Sequence, residues 1–83
     1  PKFVEAYDKR GLCHAKSGNP AKAIDDFNKA IALNSKFAAA YNNRGVAYGM
    51  MGNHEQEIID IQAAASLGLE AAQAFLKSKG IEW

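Results

Sequence analysis

The sequence predicts an all-α protein: five helices arranged as a helical-hairpin solenoid, an α–α superhelix. Three observations lead there. A frame returns at constant offset, AYDKRGLCHAKSGN over residues 6–19 and AYNNRGVAYGMMGN over 40–53, so Tyr7/Tyr41, Arg10/Arg44, Gly11/Gly45 and Gly18/Gly52 are each separated by 34 residues. Proline occurs only as Pro1 and Pro20, and alanine is the commonest residue, a composition that favours helix. No stretch alternates polar and apolar residues at period two, which leaves no candidate strand.

The first helix is expected from Phe3 to about Ser17, where Val4, Tyr7, Gly11/Leu12 and Ala15 keep the three-to-four spacing of one helical face. Gly18 stops it, Asn19 caps the next helix, and Pro20 stands at the first helical position, where a missing N–H is harmless. The second helix runs to Leu33 with Ala23, Ile24, Phe27, Ala30 and Ile31 as its buried stripe. Asn34-Ser35 closes it and caps the third, expected from about Phe37 to Met51. Gly52-Asn53 forms the next turn, and the fourth helix follows from His54 to Leu67. Gly68 ends it. The fifth helix, about Leu69 to Lys79, carries Ala71, Ala72, Phe75 and Leu76 before Gly80 and the tail Ile81-Glu82-Trp83.

Residues 3–36 placed on 37–70 without a gap share eleven identities, nearly all small, apolar or turn residues. That is a packing code, because one helix lying on another needs a small residue at closest approach and a large one beside it. Gly11 and Ala30 read as the small partners in the first copy, Tyr7 and Phe27 as the fillers. Cys13, aligned with Ala47, reads as a small buried residue.

The 34-residue helix–turn–helix unit resembles the tetratricopeptide repeat. That pattern sets an aromatic residue, a glycine four later, a Gly/Asn turn seven beyond, then Ala-x-x-x-Phe-x-x-Ala. The first copy matches with Tyr7, Gly11, Gly18, Ala23, Phe27 and Ala30, the second with Tyr41, Gly45, Tyr48, Gly52 and Ala64. The resemblance implies one domain over residues 1–83, with repeat one at about 4–37, repeat two at about 38–71, and a capping helix and tail at about 70–83. The fifth helix covers the open end of repeat two, Phe75 takes the slot of Tyr7 and Tyr41, and Ile81 and Trp83 fold back onto it. One departure stands out. Glu57 replaces the small Ala23, so the fourth helix is displaced there, or Glu57 reaches solvent or a cation.

Ten basic and nine acidic residues give a net charge of +1, with lysines scattered, which provides no footprint for nucleic acid or anionic lipid. No apolar run approaches the ~20 residues of a membrane span. The chain begins with Pro1 rather than Met, as an excised fragment or processed product would. Cytoplasm is the default compartment, with no feature that fixes it.

Arg10 and Asp26, repeated as Arg44 and Asp60, are expected to form equivalent ion pairs across each hairpin. Cys13 and His14 adjoin, and with His54 they make the only candidate constellation for a metal site or an enzyme. Neighbours on a helix point about 100° apart, and two His and one Cys fall short of the four ligands of a closed zinc site, so no catalytic residue, cofactor or metal is expected. What remains is surface. The resemblance implies that the first helix of each repeat lines a concave groove for a protein or peptide partner, presenting Glu5, Asp8, Lys9, Leu12 and Lys16 from copy one, and Ala39, Asn42, Asn43, Val46 and Met50 from copy two. Asn43 matches an asparagine with which chaperone-binding members hold a C-terminal carboxylate. The same pattern expects Lys at Asp8 and Asn at Leu12, and neither is present. The expected function is a non-catalytic adaptor or scaffold segment. The rival is a homo-oligomer that stacks through its open N-terminal face and Ile59.

Overall fold

The computed structural model describes residues 2–83; Pro1, on which the expectation of a cut start rests, lies outside them. The elements are α1 (Lys2–Lys16), α2 (Pro20–Leu33), α3 (Ala38–Met50), α4 (His54–Ser66) and α5 (Glu70–Ser78). Among the described residues there is no strand. α1 packs on α2, α3 on α4, the two hairpins join through α2 and α3, and α5 lies on α4.

Four helix ends use one device. Gly18, Gly52, Gly68 and Gly80 take positive φ, between 71° and 98°, a conformation closed to most L side chains. At each, two amides turn back to satisfy the last carbonyls: Gly18 N–H reaches the Ala15 carbonyl at 3.0 Å and Asn19 N–H that of His14 at 2.8 Å. The same pair of bonds recurs from Gly52/Asn53, Gly68/Leu69 and Gly80/Ile81. Helix starts are less uniform. Asn53 Oδ1 accepts from Gln56 N–H at 3.3 Å, but Asn19 caps only with its carbonyl, 3.1 Å from Ala23 N–H. Asn34 and Ser35 do not cap α3 as expected. Asn34 Oδ1 folds onto Lys36 N–H at 3.0 Å, and Phe37 occupies the cap position without a side-chain bond.

The hairpin arms meet at glycine. A Cβ on Gly11 would lie 2.5 Å from the Phe27 ring, whose residue is fully buried. A Cβ on Gly45 would meet Ile61 Cγ1 and the Glu57 carbonyl, both at 3.0 Å. The smaller filler of copy two thus lets the backbone of α4 itself come into reach. Alanines complete the contacts: Ala23, Ala30, Ala40, Ala47, Ala64 and Ala72 are all inaccessible.

Both expected ion pairs form, as two-pronged forks. Arg10 Nε and Nη2 donate to Asp26 at 2.8 and 2.7 Å, and Arg44 Nε and Nη2 donate to Asp60 at 2.8 Å each. Tyr7 and Tyr41 lie under the guanidinium groups, 5.6 Å from ring centre in each copy. Asp26 and Asp60 are buried rather than exposed, so the pairs matter more than surface pairs do. The Arg10 hydrogen bonds hold the Asp26 carboxyl below the usual carboxylate range, against the opposing effect of burial.

Glu57 has its accommodation written into the alignment. Its carboxylate occupies the space that a Cβ on Gly49 would fill, at 2.5 Å, and Oε1 lies 2.9 Å from His54 Nδ1. Ala15, Ala23 and Pro20 of copy one have become Gly49, Glu57 and His54 together. The side chain is partly exposed at its outer end.

Two further expectations change. Cys13 is exposed, not buried, because α2 is what covers its counterpart Ala47, and no described element lies on that side of α1. Trp83 remains 50% exposed. The tail is instead anchored by Ile81, whose N–H bonds to the Leu76 carbonyl at 2.9 Å and whose side chain packs on the α4–α5 core. The Glu82 carbonyl accepts from Gln62 Nε2 at 2.8 Å.

Four outcomes are expected. In urea titrations Gly11→Ala loses about 1–2 kcal/mol, since overpacking against a rigid ring outweighs the ~1 kcal/mol gained in helix propensity. Gly49→Ala stays within about 0.5 kcal/mol, because the atoms it meets are the movable end of Glu57. Arg44→Met, which strands the buried Asp60, costs on the order of 2–3 kcal/mol and exceeds Arg10→Met, whose guanidinium is the more exposed of the two. The folded-state carboxyl of Asp26 sits below its unfolded value, so its contribution is complete at neutral pH and fades below about pH 4; a melting-temperature profile that falls there, and falls less in Asp26→Asn, checks the sign.

Candidate protein-interaction surface

α1 and α3 are the first arms of their hairpins and lie alongside each other. Helical spacing sets Asp8, Leu12 and Lys16 in one row on α1, and Asn42, Val46 and Met50 in the equivalent row on α3. Glu5 with Lys9, and Ala39 with Asn43, form the next row over.

The two helices are tied where these rows meet. Asn43 Nδ2 donates to Asp8 Oδ1 at 3.0 Å. Asp8 is 7% exposed, so it forms the floor rather than a contact for a partner. Burial pushes its carboxyl up, an effect that the Asn43 hydrogen bond partly offsets. Asn43 therefore has an amide hydrogen committed to a carboxylate within the chain. A free C-terminal carboxylate approaching this point would meet Asp8, not the lysine that the clamp pattern expects.

Of the remaining expected residues, Glu5, Lys9 and Lys16 are exposed and give the α1 side a charged rim. Leu12 is half-buried and packs onto the cluster of Phe27, Ala23 and Ile24. Ala39 and Asn42 are half-buried. Val46 and Met50 are 47% and 50% exposed, one turn apart on α3. The arrangement is a charged edge beside a short apolar strip.

Sequence reasoning missed the far end. Lys77 on α5 stands 34 residues after Asn43, and with Gly80, Ile81, Glu82 and Trp83 it lines a shallow depression of about 590 Å³. Trp83 is half-exposed there, while Ile81 of the same tail packs on the α4–α5 core and the Glu82 carbonyl is held by Gln62. The continuing 34-residue register was the signal that could have found Lys77.

Cys13, His14 and His54, the constellation weighed for a metal site or an enzyme, do not converge. Cys13 faces outward, His14 Nε2 lies 3.7 Å from Asp26 Oδ2, and His54 contacts Glu57. Among the described residues no three His, Cys, Asp or Glu side chains gather as a metal-binding set. No described helix is long and apolar enough to cross a membrane.

Asp8→Asn is expected to raise stability at pH 7, where the native carboxylate is held in a poorly hydrated place. The advantage should shrink as acid protonates Asp8 in the parent, and parallel urea titrations at neutral and acid pH check both parts.

Two family models match the chain: one described as TPR repeat over residues 11–52, just over half of the sequence, and one described as Tetratricopeptide repeat over residues 38–67. No curated protein and no solved structure gives a significant match. The matched stretches take in the glycine contacts under Phe27 and Ile61 and the Gly52 turn, which are the features that build the hairpins. The chain belongs to the tetratricopeptide repeat family.

Proposed function

We propose that this chain is a peptide-binding adaptor segment whose concave face takes an amphipathic helix or extended peptide of a protein partner. Repeats of this family generally mediate protein–protein interactions, and they are typically non-catalytic. The observation that carries the finer reading is the exposure of Val46 and Met50, large apolar side chains in line on α3 that contribute little to the core. Flanked by Lys9, Lys16 and Glu5, they form a strip that an apolar ridge with mixed charges at its edges would complement. The Asp8–Asn43 bond beneath it fixes the spacing of the two helices, so the strip is preorganised.

A second reading, self-association, is favoured by Ile59, 49% exposed on α4 away from the strip. The two readings separate cleanly. Peptides selected from a random library on the immobilised domain should lose at least about tenfold in affinity to Val46→Glu and Met50→Glu, with melting temperature unchanged. Equal binding to the parent and both variants overturns the concave-face reading. A sedimentation coefficient that rises with concentration and is reset by Ile59→Glu supports self-association instead.

A further inference from the structure

Asp8, Asp26 and Asp60 are all buried, and two of them have their cation within the chain. Asp26 carries the Arg10 fork and Asp60 the Arg44 fork. Asp8 has neither: among the described residues no lysine, arginine or histidine stands within ion-pairing distance of it. Lys9 follows it in the chain but points about 100° round α1 and is exposed. Only burial and the Asn43 hydrogen bond act on the Asp8 carboxyl, whereas Asp26 also feels Arg10, Lys29 and His14. A carboxylate taken from water without a countercharge costs stability. The repeat does not need one here, since the same position in the second copy is the neutral Asn42.

The bond to Asp8 also sets what Asn43 shows to a partner. An ionised carboxylate only accepts, so the edge of Asn43 turned to Asp8 is its Nδ2, and the amide oxygen lies on the other edge. Among the described residues that oxygen takes no hydrogen bond, and neither does Asp8 Oδ2. No described side-chain oxygen or nitrogen is both sealed from solvent and unbonded, so each of these two keeps an opening. An acceptor backed by a negative charge therefore stands where the α1 and α3 rows meet, about one helical turn from Val46.

We propose, resting on the peptide-binding reading above, that this junction is a cation subsite of the concave face and that its occupant is a lysine side chain of the bound peptide. The lysine ammonium donates to Asn43 Oδ1, and Asp8, in the floor behind it, supplies the countercharge. An ammonium fits better than a guanidinium. Asp8 has given Oδ1 to Asn43, so it cannot offer the two-oxygen grip with which Asp26 and Asp60 hold their arginines. On a helical peptide the lysine stands three or four positions from the apolar residue that covers Val46.

The probe is a set of peptides selected from a random library on the parent chain and resynthesised with acetylated and amidated ends, so that only side chains carry charge. Lysine is expected three or four positions from an apolar residue. Its replacement by glutamine should weaken binding to the parent at least about tenfold, and binding to Asp8→Asn less than about twofold. Asp8→Asn keeps an oxygen for Asn43 Nδ2, and its melting temperature checks the fold. Selected peptides that lack lysine, or that bind only with a free C-terminal carboxylate, overturn the subsite. So does a lysine effect that survives Asp8→Asn and vanishes in Glu5→Gln, which would seat the lysine on the exposed rim. Val46→Glu separates the two levels of the reading. If it abolishes binding while the lysine and glutamine peptides bind the parent equally, the subsite alone is overturned; undiminished binding by Val46→Glu overturns both.

Discussion

At Gly11 and Gly45 one helix presses its bare backbone against the filler of the next, Phe27 in the first hairpin and Ile61 in the second. Everything else in the molecule is arranged around that separation. The alanines that line both hairpins fill the narrow space it leaves, and the arginine–aspartate forks span it only because the arms stand so close. A domain of this size has little apolar surface to bury and depends on dense contact rather than on large side chains. Among the described residues, Phe27 and Leu76 are the largest side chains wholly removed from solvent.

Much of this was legible in the chain itself. Helix ends read well wherever glycine takes positive φ, because that signal is local and needs no neighbour. The forks read well because residue type and spacing recur together. Caps read less well: Asn34 had the right chemistry for α3, yet it folded onto Lys36 two residues on. Burial at the ends of the array was the least legible. Cys13 and Ala47 are equivalent in sequence and opposite in exposure, since burial belongs to the neighbour and not to the residue. Trp83 shows the same rule at the other end, with hydrophobicity enough for a core and no surface to complete one.

The surface of α1 and α3 was legible in part. Repeat register set Val46 and Met50 in line on α3, and both side chains are about half exposed. It did not reveal that Asp8 and Asn43 would find each other, because that contact joins residues 35 apart on different helices. Nor did a position-by-position comparison expose the link between Gly49, Glu57 and His54. Of the three, Glu57 alone stood out as a departure from the pattern. Together they replace an apolar contact with a polar one in the same volume, which is how a repeat drifts in sequence while its geometry holds.

The recurrent glycine stops have a consequence for ancestry. A segment bounded on both sides by the same backbone turn brings its own joints with it, so a stretch copied whole can be spliced beside its parent without any new connector having to evolve. The joint at Gly68 leads into α5 just as that at Gly18 leads into α2, although the helices they introduce play different parts. Growth by duplication is therefore open to such a chain from the outset, and each new copy is free to diverge on its outward side while the hinge it inherited keeps its place.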